Sequence, residues 1–575
     1  AGRAFGTGIL PFEARRRAQK TARESRWSPF GKQEDWELAQ WLMSSGLTQK
    51  KRDEFFKLPK IQRQGTSPWQ TNRAFLKQID KLPTGPDWEC ERIDVPMDEP
   101  EVEPEEGTPA APEVVELWKR NPVDCIRELM GNPLFRRCMR YRPEQRYRDA
   151  AQQNRVYDEM WSGDWWWDLQ KEMPSGATIA PVILASDKTQ LTNFSGNRAA
   201  WPVYLTIGNI AKSVRRKPTK HATVLIGYLP IPKLAHLTTP ERRSIEGWRI
   251  FHDAMERLLK PLVDAGKDGV DMVCADRKIR RVHPIVASYV ADFPEQCEIA
   301  DIKNSYCPVC HITPGERGTG ETGQTRSMET ALLVLRDWWN DNASSAAELF
   351  GYKKVWPFWA TLPHQNIFQC FTPDIHHQLH KGNFKDHLVK WCCNWASEKD
   401  IDQRFKTMTS FNSLRHFSNG ISKVKQWAGV EYKNMEKTFL SVIDGILPPD
   451  AIKAAQALLD FIHFARYPIH TDESLARMAG VLEDFHELKD IFTETGMCDK
   501  PGFDIPKIHA MSHYIEMIKL KGTADGYNTE SPERLHIDFA KIAYRASNKV
   551  NPLKQMTLWL QRQEAINNQR IYVTW

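Results

Sequence analysis

Residues 178–187 read TIAPVILASD, an apolar run closed by Ser186 and the carboxylate of Asp187. A continuous stretch rich in Val, Ile and Leu with polar residues at its end fits a strand buried on both faces. Downstream come WPVYLTIGNI (201–210), ATVLIGYLPI (222–231), a helical pattern over about 239–264, and VHPIVASYVADF (282–293). Three strands, a helix and another strand make the opening of an α/β sheet domain. Asp187 ends the first strand and Asp292 comes after the last, so each strand can deliver a carboxylate to the sheet edge. Two such carboxylates from one sheet could hold a pair of Mg²⁺ ions for in-line displacement at phosphorus, and a third acid is then expected. Taken singly, an Asp at a strand end is more often a turn cap.

Outward from this core, residues 114–131 and 143–172 read as helical, the latter including WSGDWWWDLQ, whose Trp165, Trp166 and Trp167 are expected to pack rather than stack on a ligand. Trp36, Leu38, Ala39, Trp41 and Leu42 recur at near-helical spacing, and Ser45-Gly46 closes that small unit. From Asp94 to Glu113 the chain is acidic, Pro-rich and free of aromatics, which reads as a linker. After Cys310 the pattern stays helical for almost two hundred residues, as an insertion would. The expected units are a basic helical region 1–93, a linker 94–113, the first part of a catalytic domain 114–310, a helical insertion 311–505, and a completing segment 506–575.

With 575 residues, 41% hydrophobic and 26% charged, the chain is too long for one ordinary core, and no apolar run of about 18 residues suggests a membrane span. The eleven cysteines are scattered, which favours a reducing compartment, cytosol or nucleus. The sequence opens on Ala1, as a processed product or a fragment of a longer reading frame would. Net charge is only +6, but the cations are segregated. Arg15, Arg16, Arg17, Lys20, Arg23 and Arg26 form one block; Lys212, Arg215, Arg216, Lys217 and Lys220 a second; Arg277, Lys278, Arg280 and Arg281 a third. Such runs fit a surface that tracks phosphates, making nucleic acid the leading partner, although basic runs are as often plain solvated faces.

Cys307-Pro-Val-Cys310 reads as a zinc half-site, a redox pair or two buried thiols. His509 and His513 lie one helical turn apart, so a Cys₂His₂ zinc site would staple the sheet domain to the chain beyond the insertion. In FTPDIHHQLH (371–380), Asp374 and His377 could position a scissile phosphate or orient a metal ligand, while His376 and His380 make a competing zinc half-site. In GYNTESPERLHID (526–538), Thr529 and Ser531 suit N-capping, and Glu530 or Glu533 could supply the third carboxylate.

Together ASDKTQLTNFSGNRAAWPVYLTIGNI, VASYVADFPEQ, CPVC, DIHHQLHKGNFKDHL and YNTESPERLHIDFAKIAY resemble Plavaka-type transposases of basidiomycete fungi, relatives of Kyakuja, Dileera and Zisupton elements and, more distantly, of CACTA transposases. The resemblance implies an RNase H-like domain interrupted by a helical insertion, with Asp, Asp and Glu as metal ligands. By that resemblance they fall on Asp187, Asp292 and Glu533, with Asp276 and Glu530 as alternatives; Asp374 and His377 match the family's Asp-x-x-His string, and His509 and His513 its paired histidines. It further implies two Mg²⁺ or Mn²⁺ ions, structural Zn²⁺, double-stranded DNA at transposon ends and target sites, a nuclear location and a homo-oligomer that cuts and pastes DNA. The rival reading is a domesticated, catalytically inactive DNA-binding protein derived from such a transposase.

Overall fold

The computed structural model describes residues 1–63, 65, 67–95, 113–192, 198–340, 345–425 and 427–575. The expected linker 94–113 therefore lies almost entirely outside the described residues. The protein is a mixed α/β structure built on a nine-stranded mixed sheet. Its centre comprises β1 (Thr178–Ser186), β2 (Ala199–Ile207), β3 (Val224–Leu229), β4 (Val270–Val273) and β5 (Lys278–Val290). β2 lies antiparallel between β1 and β3, β5 runs parallel to β1 on its other side, and β4 forms a hairpin with β5. Helices Pro240–Leu259 and Pro261–Asp268 carry the chain from β3 back to β4, divided where Pro261 opens the second helix.

Every residue of β1 is buried, because both faces of the sheet are covered. Ile179 and Ile183 point to the side shared by Trp166, Tyr204, Tyr228, Leu535 and Tyr544. Ala180, Val182 and Leu184 point to the other, against Phe251, Met255, Leu258 and Leu262. This alternation explains why the strand reads as a continuous apolar run.

Two sequence expectations give way here. Val114–Lys119 is a strand, not the start of a helix; it pairs with Glu89–Asp94 and meets β3 at Trp118↔Tyr228. Val115 and Leu117 are buried while Val114 and Glu116 are exposed, a period of two that outweighs helical propensity. The stretch 143–172 is helical only in a 3-10 turn at Met160–Ser162 and an α-helix at Asp164–Glu172; Arg146–Tyr147 and Arg155–Tyr157 instead form a small sheet with His470–Thr471. Trp165 and Trp166 are buried in the sheet's core, as packing residues.

A second hydrophobic cluster gathers residues between Ile375 and Ala524, including helices Gly429–Ile443, Pro449–Ala465 and Asp472–Leu488. Side chains from Ile312 to Phe371 pack instead with the sheet. Near the N-terminus Trp36, Phe56, Trp69 and Phe75 close around Ala565 and Ile566 of the last helix, Pro552–Thr574. No helix among the described residues is long and apolar enough to cross a membrane.

Candidate active site

β1 and β5 are parallel neighbours with Ala185 opposite Val290, so Asp187 and Asp292 each stand two residues beyond one paired rung. Register alone therefore brings both carboxylates to the same sheet edge. Asp292 is also the N-cap of helix Phe293–Ile299, its Oδ1 accepting from the Glu295 amide at 3.0 Å. The turn-cap role is thus real, and it occupies one oxygen. Burial raises the Asp292 carboxyl, with Asp187 and Asp374 adding to the rise and the Glu295 amide and His377 opposing it.

Phe371 forms a parallel bridge with Tyr289, which sets Asp374 three residues past its rung, as Asp292 is past the same rung. Asp374 is 1% exposed. Its Oδ1 accepts from the His376 amide (3.0 Å) and the Thr529 hydroxyl (2.8 Å), and its Oδ2 meets His377 Nδ1 at 2.7 Å. Burial works to raise this carboxyl, but His377 and Thr529 hold it below the ordinary range. Burial likewise works against charge on His377; the Asp374 hydrogen bond outweighs it, with Glu533 and Asp292 adding to the pull, and lifts the imidazole to about 9. Thr529, expected as a helix cap, makes no side-chain cap and spends its hydroxyl on Asp374.

Glu533 lies in helix Glu530–His536, and its Oε1 stands 3.4 Å from His377 Nε2. That oxygen is buried and makes no hydrogen bond. Burial, with Asp374 and Asp187 nearby, raises the Glu533 carboxyl to about 7 although His377 opposes the shift. Glu530, its alternative, is exposed and turns to Lys433 Nζ at 3.2 Å. Asp276 does not join the cluster: it precedes the 13-residue strand β5, at the opposite end from Asp292, and is clasped by both Arg280 Nη atoms at 2.7 Å.

Two supporting residues, His536 and Glu295, carry no mark in the sequence that assigns them to the site. His536 bonds Asp187 Oδ2 through Nε2 (3.2 Å) and the Tyr204 hydroxyl through Nδ1 (2.9 Å). Beneath the two aspartates, buried Glu295 accepts from Ser186 and from Trp201 Nε1 (2.9 Å), and burial pushes its carboxyl up to about 8. The one available signal was the spacing of Glu533 and His536, which puts both on one helical face.

Cys307, Cys310, His509 and His513 come together from segments 199 and 206 residues apart, all buried. Sγ of Cys307 lies 3.4 Å from His513 Nε2, Sγ of Cys310 lies 3.3 Å from His509 Nε2, and the two Nε2 atoms are 3.1 Å apart. With Zn–S near 2.3 Å and Zn–N near 2.0 Å, the edges of a tetrahedral site are about 3.3–3.8 Å, so the donor set and its spacing are compatible with structural zinc. Arg326 Nε donates to the carbonyls of Cys307 (2.9 Å) and Cys310 (3.2 Å), shaping the turn. The competing half-site does not reach these thiols, since His380 Nδ1 bonds Glu436 Oε1 at 2.5 Å and its ring stacks on Tyr432.

The basic runs divide. Lys212, Arg215 and Arg280 are each 7% exposed and hold the fold together rather than face a partner. Lys212 Nζ bonds Asp525 Oδ1 and the Pro468 carbonyl, both at 2.6 Å, and Arg215 donates to the carbonyls of Ile210 and Gly526. Arg216, Arg277 and Arg281 are exposed but paired with Asp525, Glu13 and Asp271, and half-buried Arg15 lies over the Tyr572 ring. Arg16, Arg17, Lys217 and Lys278 are exposed.

No curated protein matches the chain. The protein-family model described as Plavaka transposase matches residues 69–392, which is more than half of the sequence and includes β1 to β5, the C-x-x-C and the Asp374–His377 pair. By that match, the chain belongs to the Plavaka transposase family.

Proposed function

We propose that this protein is a DDE-type DNA transposase, an Mg²⁺- or Mn²⁺-dependent polynucleotidyl transferase that cuts and joins transposon ends in the nucleus, acting as a homo-oligomer on double-stranded DNA. The observation that supports the reading is that neighbouring parallel strands carry Asp187 and Asp292 to one sheet edge, while the buried Oε1 of Glu533 has no hydrogen bond and feels the charge of Asp187. The strand order β3-β2-β1-β5, with β5 parallel to β1, supports an RNase H-like core interrupted by the helices that precede Glu533.

Three carboxylates are a donor set that fits hard cations, and burial, with smaller contributions from neighbouring acids, raises Asp292 and Glu533. Two divalent ions held by Asp187, Asp292 and Glu533 would activate the attacking oxygen and neutralise charge on the leaving one. His536 orients Asp187, and the Glu295 amide orients Asp292. His377, fixed by Asp374, turns Nε2 toward the cluster and can donate a hydrogen bond to a phosphate oxygen. Exposed Arg16, Arg17, Lys217 and Lys278, with exposed Lys20, Arg23 and Lys220 of the same runs, can neutralise DNA phosphates.

The test is Mg²⁺-dependent strand cleavage by the purified protein on DNA carrying the inverted repeats that flank its gene. Cleavage abolished by Asp187→Ala is the expected result. Tight DNA binding without cleavage in Mg²⁺ or Mn²⁺ would instead identify a domesticated binding protein.

A further inference from the structure

Beside the carboxylates lies a donor set of different chemistry. One nitrogen of His376, one of His377 and a carboxylate oxygen of Glu533 lie within 4.8 Å of one another, and all three side chains are half-buried. His376 Nδ1 and Glu533 Oε1 are both buried atoms without a hydrogen bond. His377 is already held as metal-binding imidazoles are held: Asp374 Oδ2 takes its Nδ1 at 2.7 Å and leaves Nε2 facing Glu533. A carboxylate behind an imidazole fixes its tautomer and ring orientation and strengthens it as a ligand. His376 is braced as well, its ring set edge-on against Tyr432 of helix Gly429–Ile443 and against His377.

We propose that His376, His377 and Glu533 form a further cation site that takes a borderline transition ion such as Zn²⁺ or Co²⁺ in preference to Mg²⁺. Two imidazoles and one carboxylate suit these ions, whereas Mg²⁺ favours oxygen donors throughout. The site differs from the Cys₂His₂ set, which has sulfur donors and is fully buried. It rests on the transposase reading only through Glu533, the shared carboxylate. An ion held by the two imidazoles draws Glu533 away from Asp187 and Asp292, so Zn²⁺ or Co²⁺ opposes Mg²⁺-dependent cutting.

The experiment uses the full chain, purified without chelator so that zinc stays with the cysteines, and titrated with Co²⁺ alone in the absence of DNA and Mg²⁺. The expected result is one added equivalent of Co²⁺, with visible d–d absorption and no thiolate-to-cobalt charge-transfer band, and persistence of that signal in excess Mg²⁺. His376→Ala and Glu533→Gln should each lose this equivalent while keeping their zinc and their thermal midpoint. Wild-type protein that takes up no such Co²⁺, or both variants binding it as tightly as wild type, overturns the proposal. Because neither DNA nor Mg²⁺ is present in the first titration, failure there leaves the transposase reading standing. Protein that binds Co²⁺ in this way yet never cuts DNA overturns that reading alone.

Discussion

His536 Nε2 lies 3.2 Å from Asp187 Oδ2 while its Nδ1 lies 2.9 Å from the Tyr204 hydroxyl, so one buried imidazole ties the helix of Glu533 to both β1 and β2. Glu533 and His536 are three residues apart and share a helical face, which couples the aim of one carboxylate to the position of another. His536→Ala should therefore raise the Mg²⁺ concentration needed for half-maximal cleavage and slow the saturated rate about tenfold, in line with the loss of a group that orients a metal ligand. Gel-shift affinity for DNA should hold. Tyr204→Phe removes only the hydroxyl and should cost about 1 kcal/mol of stability. Cleavage by His536→Ala with an unchanged Mg²⁺ requirement would count against the positioning role.

The choice between the two glutamates makes a second prediction. Glu533→Gln should bind DNA and fail to cut it, because its buried oxygen faces His377 and the charges of Asp374 and Asp187 act on it. Glu530→Gln should keep its activity and lose only a half-exposed ion pair with Lys433, worth less than about 1 kcal/mol. Single-turnover cleavage at saturating protein separates chemistry from binding. Robust cutting by Glu533→Gln, with Glu530→Gln inactive, reverses the assignment.

Much of this site was legible because its parts obey local rules. Apolar runs ending in Asp mark β1 and β5, and the parallel register then aligns Asp187 with Asp292 with no further information. The C-x-x-C and the His pair carried their chemistry in their spacing. The strand Val114–Lys119 was also written in the sequence, as alternation of Val115 and Leu117 with exposed neighbours, but six residues are too few to separate a period of two from a helical one by eye. The fate of the basic runs was not legible. Lys212 reads like Lys217 in sequence, and only its meeting with Asp525, 313 residues away, makes it a buried structural cation. His536 was hidden for the same reason, its partner Asp187 lying 349 residues distant.

That division of the cations is itself testable. Lys217→Ala should weaken DNA binding across sequences and reduce the slope of log affinity against log salt by about 0.9. Lys212→Met should leave the slope of the folded protein unchanged and destabilise the fold by about 1–3 kcal/mol, since the Pro468 carbonyl and Asp525 Oδ1 lose their buried cation while Arg216 still holds Asp525 Oδ2. Denaturant titration and salt-dependent binding, run on the same samples, distinguish the two. A lowered salt slope in Lys212→Met would return that residue to the DNA surface.

Zinc should be present at one equivalent per chain, and Cys310→Ser or the His509→Ala, His513→Ala double variant should lose it. The four ligands join the segment after β5 to the chain beyond the helices, and structural zinc is worth about 10–16 kcal/mol in small domains. Their loss should therefore lower the thermal midpoint of the sheet and not merely loosen a loop. Elemental analysis with calorimetry provides the check. Unchanged zinc in the histidine double variant would dismiss the site.

The last prediction concerns Lys521, which is fully buried at the end of helix Tyr514–Lys521 and donates to the carbonyls of Ala287, the irregular point of β5, and Gln369, two residues before the bridge at Phe371. Burial lowers its pKa to about 8 from an ordinary 10.5. Below pH 8 the ammonium is charged in both folded and unfolded chains, and the cost of burying it is present in full. Between about pH 8 and 10.5 the unfolded chain still binds the proton and the folded chain does not, so this group makes stability rise with pH, by up to about 1.4 kcal/mol per unit. Lys521→Met should remove that contribution while leaving titrations elsewhere in place. The stability of wild type relative to the variant should therefore climb by about 3 kcal/mol from pH 7 to pH 10.5, and stay flat below pH 7. Urea unfolding of both proteins across that range measures it directly. A difference that is constant with pH would mean Lys521 is not held near pH 8, and that the stitch between β5 and the segment leading to Asp374 is made by a solvated cation.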